Sequence, residues 1–301
     1  MTNTLTPAPV SDAMLINCYQ PRDVNPTGFG DFLRGCVSCH QFAIEHGFNF
    51  DIHLGHWSSY FQSELEDPPS NIHVHDLVNR CACFNEFEMY LNRIIGLNKV
   101  RDVYICTNMW PKSSSESFFS YSIDAIPTSW GDISSATREF LKSRLLPTDK
   151  LLGGFTPLDF KYEVVHVRLP DSHTFGGKYT EVEFPLSGHY ASIFRKVMGI
   201  QRESSSRILI LTNSKNFRLS MQRAVIESDL GDVILFSDVT PTHSGVLSDA
   251  GTMHDLLKMT EASVIHQLSV YPWGSGFSRL AHHIYGVPLK TYSIYAYQSF
   301  P

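Results

Sequence analysis

The chain has 301 residues, 43% of them hydrophobic, with 24 basic against 30 acidic side chains and a net charge of −6. That length exceeds one compact α/β unit of typical size and predicts two domains. The acidic balance argues against a general nucleic-acid binder, and no run of about 18 apolar residues offers a membrane span.

The opening stretch MTNTLTPAPVSDAM has no basic n-region and no apolar h-region, so no signal peptide is read there. Residues 1–12 are expected to be a frayed leader. Six cysteines, at positions 18, 36, 39, 81, 83 and 106, all fall in the first half. With no secretion signal, they predict reduced thiols and a cytoplasmic protein.

Met14 to Cys18 (MLINC) reads as a first buried strand. A loop with Pro21, Pro26, Gly28 and Gly30 follows, and then Asp31 to His46 repeats Phe32, Leu33, Cys36, Val37, Cys39 and Phe42 at helical spacing. Glycines between a strand and a helix let the backbone approach a ligand, and the helix N-terminus favours an anion. The turn lacks the third glycine of the dinucleotide fingerprint. Arg34, one turn into the helix, is placed to reach back toward it. Further strands are read at 48–54, 72–74 and 100–106, and helices at 84–95 and 134–146. The serine-rich stretch Lys112 to Ser122 reads as a loop, either substrate-facing or an ordinary surface loop. Leu151 to Pro157 (LLGGFTP) reads as a linker, which sets the expected domains at 1–155 and 156–301.

The second half alternates more cleanly. Strands are read at Tyr162 to Leu169 (YEVVHVRL), Arg207 to Thr212 (RILILT), Asp232 to Phe236, Ser263 to Leu268 and Leu289 to Ile294. Helices are read at 188–198, 217–228, 254–262 and 278–285, with Asp255 in the first turn of the third. This alternation predicts a parallel sheet with right-handed crossovers. Polar groups follow the strands: Arg168 and Asp171, then Asn213 and Ser214, then Gly274, Ser275 and Gly276. In a parallel sheet these positions share the edge where ligands bind. The guanidinium of Arg168 and the glycine-serine turn WGSGFS, entering a helix at Ser278, make a candidate diphosphate clamp. The alternative is an exposed Arg168 paired with Asp171, and glycines that only tighten a turn.

Two metal-like patterns sit in the first half. Cys36-Val37-Ser38-Cys39-His40 matches the haem-attachment spacing C-x-x-C-H, and Cys36, Cys39, Cys81 and Cys83 would make an atypical zinc set. Both compete with plain core thiols on the apolar face of a helix. Neither His73 with His75 nor His282 with His283 is completed by a third ligand at a suitable spacing.

These residues resemble a family, the superfamily of GDP-fucose-dependent fucosyltransferases that includes the α-1,6- and protein O-fucosyltransferases. Three segments carry the resemblance: Gly28-Phe29-Gly30 leading to Arg34-Gly35; His166-Val167-Arg168 with Asp171, similar to the family's H-x-R-R-x-D; and Asp255 through Ala281, with its serine turn Ser275-Gly276-Phe277-Ser278-Arg279. The resemblance implies an α/β chain of GT-B type, two Rossmann-like domains with parallel sheets facing across a crevice. The first domain would lie on the acceptor side and the second would bind the donor.

The roles implied are these. Arg168 would hold the donor β-phosphate and the leaving diphosphate. Ser275, Gly276, Phe277 and Ser278 would give hydroxyl and backbone donors to the same phosphates, with Asn213 at the neighbouring strand end. Asp255 would accept from the guanine edge. His166 and Asp171 would flank the pocket, and Gly28, Gly30 and Arg34 would close it. Asp31 and Asp171 are the positions for a general base. No metal cofactor is implied, because arginine takes the cation's part. The partners implied are a nucleotide-sugar donor and a glycan or glycoprotein acceptor. Leu169 and Pro170 depart from the family where it has a second arginine, and Asp31 stands where it has a turn asparagine. The expected reaction is therefore fucosyl transfer from GDP-fucose with inversion. The rivals are another nucleotide-sugar donor, a catalytically silent nucleotide- or carbohydrate-binding module, and a thiol–metal protein.

Overall fold

The computed structural model describes residues 13–20, 28–62, 65, 72–81, 83–97, 102–112, 130, 133–169, 171–173, 179–181, 187–239, 250–269 and 274–294. The serine-rich loop at 113–120, most of the loop before Gly28, and Trp273 lie outside the described residues. The chain divides into two compact units, one of Met1–Gln20 with Asp31–Leu146, the other of Pro21–Gly30 with Pro147–Pro301.

The first unit holds strands β1 (Met14–Cys18), β2 (Asn49–His53), β3 (His75–Asp76) and β4 (Val103–Cys106) in the order β2-β1-β4-β3. Every pairing is parallel. Helix α1 (Phe29–His46) follows β1, and its periodic apolar residues Phe32, Leu33, Cys36, Val37, Cys39 and Phe42 are all buried. Helix α2 (Phe84–Leu97) buries Phe84, Phe87, Leu91 and Ile94, one stripe at helical spacing. Helix α3 (Ser135–Arg144) starts where the Ser134 hydroxyl accepts from the Thr137 N–H. One buried side chain ties three elements: Asn17 of β1 accepts from the Thr107 N–H at 3.1 Å and donates to Cys36 Sγ of α1 at 3.2 Å. Gly35 is needed there, since a Cβ would stand 2.0 Å from the Thr107 carbonyl oxygen.

The second unit holds a short helix α4 (Asp149–Leu152), strands β5 (Tyr162–Arg168), β6 (Asp171–His173) and β7 (Tyr179–Glu181), and helix α5 (Ser187–Glu203). After these come β8 (Arg207–Thr212), α6 (Lys215–Glu227), β9 (Ile234–Phe236), α7 (Ala250–Glu261), β10 (Ile265–Ser269), α8 (Gly276–Tyr285) and β11 (Leu289–Ser293). Its main sheet is wholly parallel in the order β11-β10-β5-β8-β9. From β5 the chain steps outward through β8 to β9, then returns to the other side of β5 for β10 and β11. The strand order therefore reverses between β5 and β10, which is a topological switch point.

Strand β5 is buried on both faces. Val165 and Val167 join Ile193, Val197, Ile208, Ile210, Phe217, Met221 and Leu268 in one apolar cluster. By the two-residue alternation of a strand, His166 and Arg168 take the opposite face.

Several local readings differ from the structure. The stretch expected to be a linker begins with Leu151 and Leu152 inside α4, because the Thr148 hydroxyl caps that turn. The polar loop expected after β5 contains an antiparallel pair, β6 with β7. Helix α7 begins at Ala250, so Asp255 lies in its second turn rather than its first. Among the described residues no helix is long and apolar enough to cross a membrane.

Candidate functional site

The C-terminal ends of β5 and β10 lie side by side, with Arg168 paired in register to Ser269 and His166 to Gln267. His166 is buried and shares a hydrogen bond between its Nδ1 and the Ser278 hydroxyl. The Phe277 ring meets the imidazole edge-on, with centroids 6.3 Å apart. Burial, and then the nearby Arg168 guanidinium, push the His166 imidazole down to about 3, so it is neutral at physiological pH. A neutral imidazole is no phosphate cation. Its hydrogen bond to Ser278 ties the first turn of α8 to β5.

That first turn leaves backbone N–H groups open at the helix N-terminus. Ser275 is the N-cap of α8, yet its hydroxyl makes no capping hydrogen bond. The Arg279 N–H closes the first helical bond onto the Ser275 carbonyl, which leaves the N–H groups of Gly276, Phe277 and Ser278 without an intrahelical acceptor. Gly274 enters the turn at φ 74°, and a Cβ there would stand 2.0 Å from Gln267 Nε2. Gln267 is itself fully buried, and among the described residues neither atom of its amide has a hydrogen-bond partner. Gly30 reaches the same turn: its Cβ would stand 2.6 Å from the Gly276 carbonyl carbon and 2.8 Å from the Phe277 nitrogen. Gly28, two residues earlier, is buried. Backbone meets backbone here, which only glycine permits.

A second polar group sits beyond β9. The Asp255 carboxylate accepts a hydrogen bond of 2.5 Å from the Ser237 hydroxyl. Desolvation pushes the Asp255 carboxyl up to about 6, against the opposing pulls of Ser237 and Lys258. Lys258 is buried, and its ammonium stands 2.5 Å from Asp238. The ion pair holds the Asp238 carboxyl below its usual range.

Two candidates are engaged elsewhere. Arg34 does not turn back toward the glycines. Its Nε and Nη2 donate to the Asn108 carbonyl at 2.9 and 2.8 Å, and its Nη1 pairs with Asp31 at 2.9 Å. The guanidinium also lies 4.1 Å from the Trp110 ring centroid, so every face of Arg34 is used within the first unit. Asn213 donates to the Leu169 carbonyl at 3.0 Å and accepts from the Leu169 N–H at 2.9 Å, which holds the chain as it leaves β5. Asp171 opens β6, and its side chain is outside what is described.

The cysteine patterns are not brought together as ligand sets among the described residues. All six cysteines are free, and Cys36 and Cys39 stay inside α1. Burial pushes Cys18 up to about 12 and Cys81 up to about 11, and raises Cys36 and Cys39 strongly. Among the described residues, the sulfur atoms of Cys36, Cys39, Cys81 and Cys83 do not gather into one metal-ligating group. Among the described residues the one grouping of metal-ligand type is Glu45, His46 and Glu88, an exposed set in which Lys112 already pairs with Glu45 at 2.9 Å.

Sequence reasoning missed Gln267, Ser237, Asp238 and Lys258. For Ser237 and Asp238 the signal was present, since they follow the apolar run of β9 just as Asn213 and Ser214 follow β8.

No protein-family model and no curated protein matches the chain. Solved structures do. A mutant of Arabidopsis thaliana FUT1 in complex with GDP matches with a TM-score of 0.53 at 10% identity, over 94% of this chain and 70% of that one. NodZ alpha-1,6-fucosyltransferase soaked with GDP-fucose matches at 0.48 and 13%, over 90% and 92%. POFUT1 in complex with GDP-fucose matches at 0.40 and 10%, over 96% and 99%. With its two parallel sheets, the chain has a fucosyltransferase-like α/β fold of GT-B type.

Proposed function

We propose that this chain is a metal-independent glycosyltransferase that moves fucose from GDP-fucose to a hydroxyl of a glycan or protein, with inversion. The second unit is the donor-binding domain and the first is the acceptor-side domain. The observation that carries this reading is that Arg168 ends β5 beside the end of β10 at the switch point of a parallel sheet, while His166 on the same strand bonds to Ser278 in the first turn of α8. A guanidinium and a set of backbone N–H groups together suit a diphosphate.

The chemistry follows from that placement. The acceptor oxygen attacks the anomeric carbon as the bond to the β-phosphate oxygen breaks. The bonding pair leaves with the diphosphate, and its charge is taken up by Arg168, the Ser275 hydroxyl and the first-turn N–H groups of α8. Stabilising charge as it develops is the main source of rate in such a site. The acceptor proton passes to a base, for which Asp31 and Asp171 are the candidates. Asp255, at the end of β9, accepts from the paired N–H groups of guanine.

Calorimetric titration with GDP, UDP, ADP and GDP-fucose tests this on wild type and Arg168→Ala. The expected result is binding of the guanine nucleotides alone, lost in the variant. Preference for UDP keeps the scaffold and overturns both fucose as donor and the role of Asp255. A second reading, a silent nucleotide-binding module, is favoured by one observation. Leu169, at the position of the family's second arginine, is buried in the apolar cluster of the second unit. Release of GDP from GDP-fucose by pure protein excludes that module.

A further inference from the structure

The carboxylate at the end of β9 does not stand alone. Ser237 Oγ accepts from the Val239 N–H at 3.2 Å and from Lys258 Nζ at 3.4 Å. An ammonium has donors only, so the direction of that contact is fixed. With both lone pairs of the hydroxyl taken, its proton has one way to point, toward Asp255 Oδ1 at 2.5 Å. Lys258 Nζ is anchored in turn by Asp238 at 2.5 Å, and the Lys258 carbonyl accepts from the Tyr162 hydroxyl at 2.8 Å. Asp255 and Lys258 are three residues apart on α7 and so share one face of the helix. The result is a polar relay of defined direction: ammonium to hydroxyl to carboxylate.

We propose that Lys258 is a positioning residue for nucleobase recognition, acting through Ser237 to orient the Asp255 carboxylate toward the base edge. This rests on the reading of the second unit as a nucleotide site. Lys258 is not a phosphate ligand, because its ammonium is buried and already paired with Asp238. The relay occupies one lone pair of Asp255 Oδ1 and leaves Oδ2 with the rest of Oδ1 for a ligand. Two neighbouring acceptor oxygens suit a base edge with adjacent N–H donors, as guanine has. Removing the ammonium frees the Ser237 hydroxyl to rotate away from the Asp255 carboxylate and leaves Arg218 as the remaining cation acting on it.

The test compares wild type, Lys258→Met, Ser237→Ala and Lys258→Arg, each titrated with GDP and with inorganic pyrophosphate. Ser237→Ala cuts the relay while keeping the Lys258–Asp238 pair, so it serves if Lys258→Met fails to fold. Lys258→Met and Ser237→Ala are expected to weaken GDP by about tenfold, the worth of one charge-assisted hydrogen bond, and to leave pyrophosphate within about twofold. Lys258→Arg, which keeps the charge, is expected to retain most of the affinity for GDP. A general structural loss would weaken both ligands together, and that outcome overturns the proposal. So does a wild-type affinity for GDP that both relay variants leave unchanged. If wild type binds pyrophosphate and no better with guanosine attached, it is the guanine reading of Asp255 that fails.

Discussion

Asp255→Asn separates what this residue does for stability from what it does for binding. Burial pushes its carboxyl up to about 6 from an ordinary 3.8. The folded state therefore holds the proton more tightly than the unfolded chain. Stability contributed by the protonated form is complete below about pH 4 and is lost as pH rises through about 6. At pH 7 the anion costs the folded state about 3 kcal/mol, from roughly two pH units at ~1.4 kcal/mol each. The help of Ser237 and Lys258 is already included in that figure. Asparagine keeps the shape and an acceptor for the Ser237 hydroxyl but carries no charge. Calorimetric unfolding of wild type and variant between pH 4 and 7.5, read on the transition of the second unit, measures the difference. The variant is expected to be more stable at pH 7.5 by up to about 3 kcal/mol, a gap of several degrees that closes toward pH 4. Its affinity for GDP should fall at the same time. A variant less stable than wild type at pH 7.5, or a gap that does not change with pH, refutes the reasoning.

Other expectations follow from close approaches and burial. Gly274→Ala places an L-residue at φ 74° for about 1–2 kcal/mol and drives a methyl into the Gln267 amide, so both unfolding temperature and affinity for GDP should drop. Gln267→Ala in that background should recover the steric part alone. Gly30→Ala meets the Gly276 backbone, which has no side chain to yield, and thermal unfolding should show a loss of about 1–3 kcal/mol. A thiol reagent at pH 8 should label Cys81 and Cys83, which are half-buried, and reach Cys18, Cys36, Cys39 and Cys106 only on unfolding.

Most of the fold was legible because period and punctuation agree. MLINC, YEVVHVR and RILILT are short apolar runs bounded by turn residues, and all three are strands. The stripe through Phe32, Cys36, Cys39 and Phe42 is the buried face of α1. Short elements were harder. The paired residues of β3 lie just past the apolar Val74 that suggested a strand, since their register is set by Ile105 and Cys106 of a distant strand. The β6–β7 pair is built from polar residues and shows no alternation of apolar side chains. Placement was legible where sequence position alone decides, as for Arg168 and Ser275, which stand at element ends as read. It was not legible where an arginine chooses among acceptors: Arg34 takes the Asn108 carbonyl, 74 residues away, and nothing local announces it. Gln267 reads as one of three polar residues in β10, beside His266 and Ser269, and only the three-dimensional packing shows its amide enclosed.

The reversal of strand order in the second unit also bears on how that unit assembles. Strands β5, β8 and β9 are close in sequence, whereas pairing Arg168 with Ser269 closes a loop of about a hundred residues. Non-local pairings of this kind are the slow ones. A chain released before β10 is made can build half of the sheet and an intact strand bearing Arg168, and still have no turn at α8 to set against it. On the proposed function, capacity for a diphosphate is then a late property of the unit. A ligand touching both strands works as a latch on the joint with the longest loop, and it should slow unfolding most at that place.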